Sequence, residues 1–119
     1  MAKSAERVEF LSDILSTIIE GAVDYWAQFD SIEKIDDAND ILGWRYESAV
    51  IYDYDDPDEK FTINIDVIAK GLGILRRRNA ERDKDLLEAN RTNGMRGDFD
   101  AWDADKIVQF GLFGELVYG

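Results

Sequence analysis

Apolar residues in the stretch AERVEFLSDILSTIIEGAVDYWAQF fall at alternating three- and four-residue steps: Val8, Leu11, Leu15, Ile18, Ala22, Trp26 and Phe29. That period puts them on one stripe of a helix facing a core. Ser4 is available as its N-cap, although Arg7 three residues on does not complete a capping box. Gly21 interrupts the stripe at a cost of about 1 kcal/mol relative to alanine. It either splits the helix or admits a second helix at close range. The polar stretch DSIEKIDDANDILG, residues 30–43, ends in glycine and reads as a connection holding at most one short helical turn.

The period then changes to two. In WRYESAVIYDY, Trp44, Tyr46, Ser48, Val50, Tyr52 and Tyr54 alternate with Arg45, Glu47, Ala49, Ile51 and Asp53. KFTINID alternates Phe61, Ile63 and Ile65 with Thr62, Asn64 and Asp66. Both read as strands. The link DDPDE, with φ fixed at Pro57, makes them an antiparallel hairpin. An isolated hairpin is marginal in water, so a helix must cover its apolar face. Asp66 is placed to cap the next helix, whose apolar positions are Val67, Ile68, Leu72, Leu75, Leu86 and Leu87. A charged interruption near Asn79–Asp83 divides that segment into a helix and a shorter second one. RTNGMRG is a loop by its Asn-Gly pair. A closing helix runs from about Ala101 to Phe113, is stopped by Gly114, and leaves ELVYG as a tucked terminus. The expected fold is a single α+β domain over residues 1–119: a long N-terminal helix, an antiparallel β-hairpin, and two to three further helices packed on one sheet face.

Composition supports a folded core, with 45% apolar and 12% aromatic residues. It also removes chemistry. No cysteine is present, which excludes disulfides and thiolate metal sites. No histidine is present, which excludes the usual general base near neutral pH and the nucleophile pairs that depend on it. A non-enzyme without cofactor or bound metal is therefore expected. The net charge of −12 repels nucleic acid and anionic membrane, so no direct nucleic-acid contact is expected. MAKSAERVEF lacks the pattern of a signal peptide, and no apolar stretch approaches the ~20 residues of a membrane span, so the expected location is cytoplasmic.

The stretch GDFDAWDADKIVQFGLFG invites a calcium-loop reading. Asp98 and Asp100 match the first two ligand positions of an EF-hand. Trp102 then occupies the third, Asp103 stands where glycine belongs, and Gln109 replaces the bidentate glutamate. Asp100 and Asp103 instead have the spacing of a capping box, and acids in a first helical turn favour the dipole. Helix capping is the expectation.

The densest acidic group is the hairpin turn, where Asp53, Asp55, Asp56, Asp58 and Glu59 crowd together. Such charges are solvated, bound to a cation, or presented to a basic partner. Asp58-Glu59-Lys60 also spells half of a metal-nuclease signature, but the match is short and the net charge opposes a DNA substrate. Against this acidity, residues 70–84 hold six cations and two acids, leaving −16 for the rest of the chain. Arg76, Arg77, Arg78 and Arg82 suit a helix C-terminus and are also candidates for an oligomer contact or a phosphate-bearing ligand. The aromatic set Trp44, Tyr46, Tyr52, Tyr54 and Phe61 is expected in the core, any exposed member being a candidate partner anchor.

Two blocks, EFLSDILSTIIEGAVDYWAQF and EANRTNGMRGDFDAWDADKIVQFGLFGELVYG, resemble a set of small acidic proteins of actinobacteria and their phages or mobile elements. The resemblance covers nearly half the chain and carries no catalytic motif. It implies a genomic setting, not a mechanism. The leading expectation is an acidic binding protein that imitates nucleic-acid phosphates and occupies a basic, nucleic-acid-binding host protein through Asp53, Asp55, Asp56, Asp58 and Glu59. On that view Asp53 and Asp55, as alternate strand residues, form a carboxylate row with ~6.6–6.8 Å spacing. The alternative is a self-associating assembly protein using the arginine cluster. A carboxylate-metal enzyme dependent on Mg²⁺ or Ca²⁺ is the third reading.

Overall fold

A computed structural model describes residues 3–119. Ser4 opens helix α1 (Ala5–Thr17), its hydroxyl accepting from the Arg7 N–H at 3.1 Å. The helix widens into a π turn, Ile18–Ala22, within which Gly21 leaves helical geometry at φ 141°. This conformation is open to glycine and strained for other residues. Of the two roles expected for Gly21, splitting the helix or admitting another at close range, neither is seen as such. The helix ends there, the chain turns away, and among the described residues only the Asp24 side chain lies within 4 Å of its Cβ position.

Trp26 and Phe29 therefore do not continue the helical stripe. Residues 27–36, expected within the helix and a connection, form strand β1 (Ala27–Asp36), which pairs antiparallel with β2 (Trp44–Asp53). Strand β3 (Asp56–Asn64) pairs with β2 on the other side, so the expected hairpin is two-thirds of a three-stranded meander ordered β1-β2-β3. Ile51 sits between Phe29 and Phe61 in register. The turn itself is only Tyr54–Asp55, and Pro57 lies inside β3. A proline is tolerated there because β3 is an edge strand and Pro57 falls in the register irregularity between the Asp53–Asp56 and Tyr52–Lys60 pairs, where it has no partner in β2.

Asn64, not Asp66, caps helix α2 (Ile65–Arg78), its side chain accepting from the Val67 N–H at 3.0 Å. Asp66 points outward to Lys3 instead. Asn79 ends α2 in the left-handed conformation, and a 3₁₀ turn, Glu81–Asp83, leads into α3 (Lys84–Thr92). Helix α4 (Ala101–Phe113) begins at a complete capping box: Asp100 accepts from the Asp103 N–H at 2.9 Å, and Asp103 accepts from the Asp100 N–H at 3.1 Å. Gly114, at φ 74°, stops it.

The described residues thus form an α+β fold of four helices and one antiparallel sheet. Ala27, Ala49, Ile51 and Ile63 on one sheet face join Leu11, Leu15, Ile68, Leu72, Ile107 and Val108 in a single core. Val50 and Tyr52, which alternate with them, stay half-exposed on the other face. Helices α2 and α4 touch backbone to backbone: a methyl on Gly71 would lie 2.0 Å from the Ile107 carbonyl oxygen, and one on Gly111 2.2 Å from that of Val67. No helix among the described residues is long and apolar enough to cross a membrane.

Candidate partner-binding surface

The acidic turn is built by local chemistry. Asp53 ends β2 and accepts the Asp55 N–H at 2.8 Å, which sets the tight turn, while Asp56 faces it across the strands. The second carboxylate oxygen of Asp53 accepts from the Tyr118 hydroxyl at 2.7 Å. These two bonds, the Asp55 amide first, hold the Asp53 pKa below the usual carboxylate range. Because Asp55 lies in the turn and not in the strand, the expected regular row of Asp53 and Asp55 does not form. Asp55, Asp56, Asp58 and Glu59 project from the turn and the exposed start of β3. Among the described residues, none of the five acids has a Lys or Arg within ion-pair distance. Adjacent Lys60 spans β2 to pair with Asp30 at 3.3 Å.

A second acidic ridge went unnoticed in the sequence. Glu6, Glu9 and Asp13 lie one helical turn apart on the exposed side of α1. Asp36, Asp37 and Asp40, around the β1–β2 loop, line a shared depression with Glu6 and Glu9. Arg45 neutralises only Asp37, at 3.2 Å. Partial burial, then Glu9 and Asp40, push the Asp13 carboxyl above its usual range. The spacing of acids at three and four residues on α1 was the available signal.

Behind the acidic turn sits a carboxylate the sequence did not single out. Asp105, 4% exposed on α4, accepts from the Trp26 indole N–H and the Gln109 amide, each at 2.9 Å, and from the Tyr25 hydroxyl. All three donors are neutral. Gln109 is fully buried, and its carbonyl accepts the Val117 and Tyr118 N–H groups at 2.8 and 2.9 Å. The terminus expected to be tucked is so only at Tyr118, which lies on Trp26 with ring centroids 4.2 Å apart and planes 5° from parallel, while Leu116 and Val117 stay 49% and 54% exposed. Desolvation and the carboxylate of Asp105 push Tyr25 up to about 12; desolvation and Asp53 do the same to Tyr118. Both remain phenols at neutral pH. The sequence signal for Asp105 and Gln109 was their spacing of four on a helix whose neighbours Ala104, Ile107 and Val108 are apolar.

Of the expected aromatic set, Trp44, Tyr46, Tyr52 and Phe61 are half-buried, and Phe61 meets Phe113 edge-on at 5.1 Å. Tyr54 is the exposed member at 52%. It joins Tyr25 and Trp102, 50% and 74% exposed, around a cleft of about 500 Å³ whose walls also include Asp53, Asp55 and Tyr118.

Arg76, Arg77 and Arg78 occupy the last turn of α2, and Arg82 the 3₁₀ turn. All four are exposed; Arg78 lies 4.9 Å from the Phe110 ring. None makes an ion pair among the described residues. Asp98 bonds the Phe99 N–H at 2.8 Å, and Asp100 and Asp103 are absorbed by the helix cap. Among the described residues no three carboxylates converge as metal ligands do. Compared with family models, curated proteins and solved structures, the chain has no match.

Proposed function

We propose that the protein is a non-enzymatic binding protein whose acidic exterior engages a basic macromolecule. The observation that carries this reading is the unpaired state of the turn. Asp55, Asp56, Asp58 and Glu59 are exposed and pair with no Lys or Arg among the described residues, although the same chain supplies Lys60 to Asp30 next door. Like charges held this close repel, and a cationic partner relieves that repulsion while steering its own approach. A phage or mobile-element protein acting in the host cytoplasm would use such a surface in place of nucleic-acid phosphates, against a nucleic-acid-binding host protein.

The test is recovery from a host lysate with the native chain and with a variant carrying Lys at Asp55, Asp56, Asp58 and Glu59. Asp53 is left intact because it holds Tyr118. A basic protein retained by the native chain, lost by the variant, and displaced by excess duplex DNA is the expected result. Equal recovery by both chains would overturn the reading.

A second reading is favoured by Arg76, Arg77, Arg78 and Arg82, which make no ion pair among the described residues. Set against the acidic ridges, they offer a self-complementary contact between copies. Sedimentation of the purified chain checks it: an oligomer dissolved by Arg76→Glu with Arg77→Glu supports assembly, and a monomer at all concentrations removes it.

A further inference from the structure

The cleft beside the acidic turn combines two features: aromatic walls from Tyr25, Tyr54, Trp102 and Tyr118, and the carboxylates of Asp53 and Asp55. Its tyrosines are fixed by their hydroxyls. Tyr25 donates to Asp105, Tyr54 donates to the Asp24 carbonyl at 3.0 Å, and Tyr118 donates to Asp53 at 2.7 Å. With each hydroxyl committed to the protein, what remains free for a ligand is ring surface. Trp102 stands over Tyr25, ring centroids 6.5 Å apart and planes tilted by 43°. Asp53 keeps unused lone pairs beyond the two bonds it accepts, and Asp55 is exposed. No Lys or Arg lines the cleft among the described residues.

Ring faces carry negative potential and attract cations, most strongly at tryptophan. Carboxylates accept the parallel N–H fork of a guanidinium better than the point charge of an ammonium. A planar cation that stacks and is forked at its edge satisfies both halves of the cleft. We infer that this cleft receives an arginine side chain of the basic partner, stacked against Trp102 and Tyr54 with its N–H groups directed to Asp53 and Asp55. The inference rests on the binding function proposed above and names the group that function reads. Preorganised rings lower the ordering cost of such a contact.

Titration of the full chain at low salt with hexa-arginine and with hexa-lysine tests the socket, since the two peptides carry equal charge. The expected result is tighter binding of hexa-arginine, and loss of that preference in Trp102→Ala, with a ~5-fold weakening for hexa-arginine and little change for hexa-lysine. Trp102 is 74% exposed, and an unchanged melting temperature verifies that the variant folds. Tyr54→Ala gives a second, independent wall. Equal affinity for both peptides, or indifference to both aromatic variants, overturns the socket. If Lys at Asp56, Asp58 and Glu59 still abolishes binding in that case, the acidic-surface function survives without it. Failure of both peptides to bind overturns the socket and the acidic-surface function together.

Discussion

Tyr118 lies flat on Trp26 and closes it between the terminal strap, the edge of Phe113 at 6.1 Å and the carboxylate of Asp105. The two partners are far apart in sequence, yet the stack joins the end of the chain to the segment where the first helix gives way to the sheet. Stacked aromatic pairs contribute ~0.5–1.5 kcal/mol beyond their buried area. Tyr118→Ala is expected to cost about 2 kcal/mol in urea unfolding and to reduce near-ultraviolet circular dichroism. Tyr118→Phe, which keeps the stack and loses only the bond to Asp53, is expected to cost about 1 kcal/mol or less.

Asp105 holds three neutral donors in a buried place. Replacing it with Leu leaves the Trp26 N–H without its acceptor, at ~1–3 kcal/mol, and takes from the Gln109 amide its shortest bond, leaving those to the Tyr25 hydroxyl and the Tyr118 carbonyl at 3.3 Å. Asp105→Asn keeps one acceptor oxygen and is expected to be milder. Chemical unfolding of the two variants side by side checks the order; equal stability of Asp105→Leu and the native chain would refute the network.

Tyr25 and Tyr118, both pushed up to about 12, bind their protons more tightly when folded than when unfolded. Their contribution to stability is fully present below about pH 10, the unfolded value, and is lost as pH rises toward 12. The chain is expected to weaken across that window, with two tyrosines ionising last in an ultraviolet titration. Tyr25→Phe with Tyr118→Phe should remove the late phase.

The glycines of the helix pair are not equivalent. Gly71→Ala and Gly111→Ala drive a methyl into a facing backbone carbonyl and are expected to cost about 3 kcal/mol or more, despite alanine's better helix propensity. Gly73 on the same helix meets only the end of the Arg77 side chain at 3.6 Å. Gly73→Ala should therefore gain up to ~1 kcal/mol. Thermal melts of the three variants separate close packing from propensity.

Asp13 carries a raised pKa because burial and its acidic neighbours disfavour its charge. A raised carboxylate pKa means the ionised form opposes folding at neutral pH, and the penalty is relieved as pH falls through the folded value. Asp13→Asn is expected to stabilise the chain at pH 7, by no more than ~0.5 kcal/mol at so solvated a site. The gain should vanish in acid and shrink in high salt.

Some of this architecture was readable in advance because its causes are local. The ends of α4 follow from Asp100, Asp103 and Gly114, which act within one turn of themselves. The break between α2 and α3 follows from the charged run around Asn79, and β2 and residues 60–64 of β3 follow from alternation, while the start of β3, expected as a loop, does not. Strand β1 was hidden because its identity is not local. Its outer half is exposed, its register shifts between Phe29 and Ser31 and again between Glu33 and Lys34, and its ladder bonds come from β2. Trp26 and Phe29 happen to fit a helical period, and only the left-handed turn at Gly21 breaks it.

The candidate surface divides the same way. The crowding of Asp53, Asp55, Asp56, Asp58 and Glu59 is a property of neighbours in the chain, and so is the absence of histidine and cysteine chemistry. What the acids stand beside is not. Tyr25, Trp102 and Tyr118 reach the turn from three distant segments, and Asp105 becomes an internal acceptor only because Trp26 is packed over it. Charge, period and caps are written residue by residue; which side chains share a wall depends on the folded path of the whole chain, because burial is won by surfaces that meet only once the helices close over the sheet.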